Sequence, residues 1–229
     1  GANSVAGNTV LGESALDDAV TGQFNTAIGK NTLTANTSGA SNTAVGSSSL
    51  AANTTGSDNI AIGSSSLTAN TTGQRQSSIG LLALASNTTG SNNVANGYGA
   101  LFANTTADNN TAVGYAALTA NTTGTNLVAV GANALDTNTT GNGNVAIGVS
   151  ALQANSTASH NIAVGQGAMF ANTTGTRNTA IGANGTLTAN LTGNDNVAVG
   201  YVAMGANTTG TQNVAVGANA LDANTTADN

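Results

Sequence analysis

The sequence has no cysteine, no proline and no tryptophan, and only three Lys or Arg among its 229 residues. Without cysteine, neither a disulfide framework nor a thiolate metal site can form. With so few basic residues and a formal charge of −6, the chain lacks the clustered Lys and Arg that phosphate binding needs, which argues against a nucleic-acid partner. No apolar run approaches the roughly 18 residues of a membrane-spanning helix. There is one histidine, His160, and no acid recurs beside it. A nucleophile with its base, or a working carboxylate pair, therefore has no material, and the chain is read as non-enzymatic. The same poverty argues against a metal or cofactor: calcium-binding β-rolls need an aspartate in every coil, and aspartate here is sporadic. Charged residues make up 5% of the chain, against about 25% in an ordinary soluble domain. Asn, Thr, Ser and Gly keep it in water instead.

What is present is a repeat. Glycines stand at 12, 29, 46, 63, 80, 97, 114, 131, 148, 165, 182, 200 and 217, each 17 residues after the last except for one step of 18 between Gly182 and Gly200. The unit reads N-[T/V/I]-A-[V/I]-G-x-x-[A/S]-L-x-A-N-T-T-G-x-x, clearest in Asn110–Asn126 and Asn161–Arg177. Seventeen residues are too few for a helical repeat, and no i, i+3, i+4, i+7 stripe is present. Two short runs instead alternate with turn residues, as in Thr111–Val113 and Ala117–Ala120, with corners at Gly114 and Asn121–Gly124. Thirteen such coils describe an all-β parallel β-solenoid, a single repeat domain over residues 1–229. At about 4.8 Å per coil it would be a rod roughly 60 Å long.

Each stacked column must tolerate its own kind. The column before the glycine is aliphatic apart from Asn96, and Leu or Met fills the fourth place after it (Leu118, Leu152, Met169, Met204). These two columns are expected to fill the lumen. The column that is almost always Ala (Ala27, Ala44, Ala112, Ala163) should then lie on the outer face of the strand, kept small by a closely approaching backbone of the same or a neighbouring chain. Asn ladders (Asn25, Asn42, Asn59; Asn53, Asn70, Asn87) should hydrogen-bond along the axis, which charges cannot do without repulsion. The 18-residue step is expected to be a one-residue bulge at a corner, with pairing resumed at Leu187.

The copies Asn110-Thr111-Ala112-Val113-Gly114 and Asn144-Val145-Ala146-Ile147-Gly148 resemble the head repeats of trimeric autotransporter adhesins. Longer units such as Ala117–Gly124 look still more like repeats of phage long tail fibres. The resemblance spans essentially the whole chain. It implies a left-handed parallel β-roll, homotrimers, and a role in reaching or holding a surface.

The function expected is thus a structural or adhesive fibre segment on a cell or virion surface, extracellular, with copies of itself as partner in a homotrimer or an end-to-end fibre. A surface glycan or host receptor is the other expected partner. The residues singled out for contact are the aromatics at outward places: Tyr98, Tyr115 and Tyr201 directly after a column glycine, and Phe102 and Phe170 in an irregular outward column. Two alternatives stand beside this. An ice- or surface-binding solenoid would order water on Thr119, Asn121 and Thr123, read as sharing one outward parity. A glycan-binding or glycan-cleaving β-helix would need acids clustered on one face, and Asp136 and Asp222, though in one column, are five coils apart. Twelve coils carry N-x-[S/T], among them Asn53, Asn104, Asn155 and Asn207, as glycosylation acceptors or as corner residues that ladder well. Neither end carries an atypical capping coil, and Gly1 is not a natural start; the chain therefore reads as an excerpt of a longer fibre.

Overall fold

The computed structural model describes residues 5–17 and 20–228; Asn3 and Ser4 of the partial coil expected at Asn3–Gly7, and the terminal Asn229, lie outside them. There are two compact units, residues 1–110 and 111–229. The first holds six strands: β1 (Thr9–Leu11), β2 (Thr26–Ile28), β3 (Thr43–Val45), β4 (Ile60–Ile62), β5 (Ser77–Ile79) and β6 (Val94–Asn96). The second holds seven: β7 (Thr111–Val113), β8 (Val128–Val130), β9 (Val145–Ile147), β10 (Ile162–Val164), β11 (Thr179–Ile181), β12 (Val197–Val199) and β13 (Val214–Val216). Within each unit every strand pairs in parallel with its sequence neighbour, like on like: Ala44 faces Ala61, and Ala146 faces Ala163. No described residue is helical. The fold is a parallel β-solenoid.

The strands are turned the other way from the expectation. Their middle residue points inward: Ala27, Ala44, Ala112, Ala146 and Ala180 are completely buried. The flanking Val and Ile face outward, with Ile147 41% and Ile181 42% exposed. The lumen explains the reversal. Its opposite wall is the Leu column, also completely buried (Leu33, Leu67, Leu118, Leu152), and a 17-residue turn leaves room for only a methyl group across from a leucine. The Ala column is small because it faces its own coil, and the Val/Ile column is the outside of the sheet.

There is one strand per coil, not two. The Leu run is a chain of turns in which two nearly adjacent residues take left-handed backbone angles, Ser65 (φ 54°) and Leu67 (φ 54°) for example. That conformation costs an L-residue about 1–2 kcal/mol, which burying the leucine, worth about 1.5–3 kcal/mol, offsets. It also turns Ser66 and Leu67, consecutive residues, both inward, as no extended run can. Coil-to-coil hydrogen bonding continues regardless, from Leu33 N–H to the Ser49 carbonyl (3.2 Å) and from Ala52 N–H to that of Thr68 (3.0 Å).

The Asn ladders are as expected, and they line the lumen. In one column each carboxamide donates to the Oδ1 of the coil before it: Asn53 to Asn36 at 2.8 Å, Asn70 to Asn53 at 2.9 Å, Asn155 to Asn138 at 2.9 Å. In the other the main-chain N–H does so: Asn42 to Asn25 at 3.0 Å, Asn178 to Asn161 at 2.9 Å. Gln76 takes an Asn place there and still accepts from Asn93 N–H at 3.0 Å. No buried side-chain nitrogen or oxygen among the described residues lacks a partner. The column glycines are required twice over. Gly148 has φ +134°, and a Cβ on it would lie 2.5 Å from Gly165. The extra residue of the long coil falls within Gly182–Thr186, and Leu187 resumes both burial and coil-to-coil bonding, to the Ala203 carbonyl at 3.0 Å.

Candidate interaction surface: the outer sheet face

Two residues of every strand, the first and the third, form the outer face. In the second unit that makes fourteen positions on seven strands, and all but Thr111 and Thr179 are Val or Ile. In the first unit seven of twelve are aliphatic, the rest being Thr9, Thr26, Thr43, Ser77 and Asn96. None is charged. Exposed Leu81 and Val149, in the column directly after the glycine, extend the apolar surface beyond the strand. Reading the Val/Ile column as lumen hid this face. The signal that could have found it is in the columns themselves: the Ala position hardly varies, whereas the first strand position drifts among Thr, Ser, Ile and Val.

All five singled-out aromatics are exposed, Tyr98 by 47%, Phe102 by 40%, Tyr115 by 59%, Phe170 by 42% and Tyr201 by 59%. Tyr98 and Phe102 flank the turn of a single coil, after β6. Within the second unit, Tyr115, Phe170 and Tyr201 belong to three separate coils, those of β7, β10 and β12. Phe24, not singled out, is exposed as well.

Charge sits elsewhere. Arg177 and Asp195 pair on a corner through two contacts, Nε–Oδ1 at 2.6 Å and Nη2–Oδ2 at 2.8 Å. The guanidinium holds the Asp195 carboxyl below its ordinary value, and the carboxylate raises Arg177 in return. Lys30 and Glu13 pair at 3.0 Å. Asp136, on the Leu run, is pushed above its ordinary value by burial, against which a hydrogen bond with Gln153 acts. His160 is exposed at a corner, its ring close to Gly143. Among the described residues no group of three or more His, Asp or Glu is placed to hold a metal ion, and no helix is long and apolar enough to cross a membrane.

The asparagines of the repeat's N-T-T column, such as Asn53, Asn155 and Asn207, are inside the coil with their amides in the ladder; Asn184, which also begins an N-x-T triplet, is outside that column and exposed. Their spacing therefore has a structural cause. Asn121 is one of them, so the outward set Thr119, Asn121 and Thr123 is broken: Asn121 points inward, while its neighbours Thr122 and Thr123 line the corner.

No protein-family model, curated protein or solved structure matches this chain.

Proposed function

We propose that the chain is a structural and adhesive segment of an extracellular fibre, on a cell or virion surface, whose copies pack together through the outer sheet face. The observation that carries this reading is the uncharged Val/Ile face. All-parallel sheets occur almost only with both faces covered, and their strands then read as unbroken apolar runs. Val-Ala-Val and Ile-Ala-Val are such runs. The lumen covers the Ala side, and a partner covers the other.

A further copy is the partner that fits. Its ridges carry the same spacing of about 4.8 Å, so Val and Ile of facing sheets interdigitate along the whole stack. Seven strands of three residues make a face of about 300 Å² in plan, within the range of the largest exposed apolar patch on an ordinary monomer, a patch that is often functional. Copies carrying −6 each repel least through a face that holds none of the charge. Three such faces turned toward one axis give the homotrimer that the resemblance to adhesin heads and tail fibres implies. The exposed aromatics, Tyr98, Phe102, Tyr115, Phe170 and Tyr201, are then the places for contact with a glycan or receptor.

Sedimentation equilibrium tests this. The chain should have a mass that is a multiple of 21.9 kDa, three chains for the trimer. Ile147→Lys with Ile181→Lys should reduce it to a single chain with an unchanged circular-dichroism spectrum. A mass of 21.9 kDa for the unaltered chain at every concentration contradicts the proposal.

One feature favours a second reading for the first unit. Thr9, Thr26 and Thr43 follow one another on β1–β3, each beside an aliphatic residue, on a regular parallel sheet. Such an array binds ordered water. Thermal hysteresis that is lost on Thr26→Lys would support an ice-binding face; its absence in a soluble oligomer would leave the fibre reading alone.

A further inference from the structure

Three Asn-Gly pairs occur in the chain: Asn96-Gly97, Asn142-Gly143 and Asn184-Gly185. Asn-Gly is the dipeptide in which the next backbone nitrogen most easily reaches the asparagine carboxamide, because glycine has no side chain to obstruct it. The structure treats the three differently. Gly97 N–H donates to the Ile79 carbonyl at 2.9 Å, and Asn96 is held in register opposite Ile79. Gly143 N–H donates to the Thr125 carbonyl at 3.0 Å. The Asn142 amide is fixed as well, its Oδ1 accepting from Thr125 N–H at 2.8 Å and its Nδ2 donating to the Thr140 carbonyl at 3.1 Å. Gly185 N–H donates no hydrogen bond, and neither does the exposed carboxamide of Asn184. This third pair lies in the one coil with an extra residue, at the point where the regular turn is replaced by a bend.

We propose that Asn184-Gly185 is a built-in deamidation site, at which the solenoid acquires a carboxylate as it ages. The Gly185 nitrogen attacks Asn184 Cγ, forming a C–N bond and a five-membered succinimide. Nδ2 leaves as ammonia, taking up the proton that the Gly185 nitrogen gives up. Water then opens either carbonyl of the ring, giving aspartate or isoaspartate at 184. The other two pairs resist because their glycine nitrogens must first leave a coil-to-coil hydrogen bond. The product carries a new negative charge at the bulge, and isoaspartate adds a backbone carbon there, in a stack with 5% charged residues.

The test is incubation of the full chain at mildly alkaline pH and 37 °C, followed by proteolysis in acid and peptide mass spectrometry. Conversion at Asn184 should be about tenfold faster than at Asn96 or Asn142, a difference of about 1.4 kcal/mol, and in concentrated guanidinium the three rates should converge. Anion exchange should show one later-eluting native species, absent from Asn184→Gln. Equal native rates at the three sites, or Asn142 or Asn96 leading, would overturn the proposal. A lead for Asn184 that persists in guanidinium would overturn it too, since the fold would then not be the cause.

Discussion

Asp108 and the serines of its column do the same work in different coils. The Asp108 carboxylate accepts from Ser91 N–H at 2.6 Å, while Ser57 and Ser159 hydroxyls accept from Ala40 and Asn142 N–H at 3.0 and 2.9 Å. Asp108→Ser should therefore leave stability within about 0.5 kcal/mol of the original, whereas Asp108→Ala should cost about 1 kcal/mol; thermal melts of the two variants check this. Asp136 behaves differently. Burial raises its folded value above the ordinary one, so the folded state favours the protonated acid. That contribution is complete below the ordinary value and is lost as pH rises through the raised one. At neutral pH the ionised group is a small burden, and Asp136→Asn should melt higher at about pH 7 but no higher at about pH 3. A gain that is the same at both pH values would assign the effect to something other than ionisation. Arg177 and Asp195 give the opposite sign: the lowered Asp195 favours folding above its ordinary value and ceases to as pH falls through the folded one.

At the scale of the coil, the lumen tolerates a polar ladder because every amide finds the next. Leu127 interrupts one column, fully buried where Asn would stand, and offers no oxygen to Asn144 N–H. The chain thus demonstrates that a leucine fits. Asn161→Leu keeps the packing but removes the acceptor of Asn178 N–H, and should cost about 1–3 kcal/mol. A melt unchanged by that substitution would mean that the ladder contributes nothing beyond its volume. The inward face of the strand makes a second prediction: Ala112→Val overpacks the lumen at about 1–3 kcal/mol, while Val113→Thr, on the outside, should scarcely alter the fold of the single chain.

How much of this the sequence carried differs from column to column. The period, the parallel register and the buried Leu column were legible, because stacked coils force like residues into line. The direction of the strand was not. A three-residue run such as Val128-Ala129-Val130 alternates with period two, but both of its faces are apolar, and only the narrowness of the lumen decides that alanine is inside. The left-handed leucines were illegible for a related reason. That conformation is normally announced by Gly or Asn, and burial imposes it on Leu67 and Leu118 instead. Asn121 and its equivalents read as turn residues, though their place is in the core.

For the whole molecule, the reversal of the strand moves the question of partners from the alanines to the outer Val/Ile columns. Inside, the side-chain amides of each unit are paired, and its Leu column is buried up to the last coil, where Leu221 is exposed. Outside, it presents an aliphatic sheet without charge. The absence of cysteine from the sequence makes the most direct test simple, because a single thiol can be placed on either face of one strand. Ser78, completely buried, and Ile79, 38% exposed, are consecutive residues of β5. Under mild oxidation or with a short bis-maleimide, Ile79→Cys should give cross-linked pairs of chains. Ser78→Cys, nearly isosteric with the native side chain, should stay a reduced and unreactive thiol until the protein is unfolded. Cross-linking of Ser78→Cys but not of Ile79→Cys would mean that the strand is oriented the other way, and no cross-linking of either would contradict a sheet face covered by a second copy.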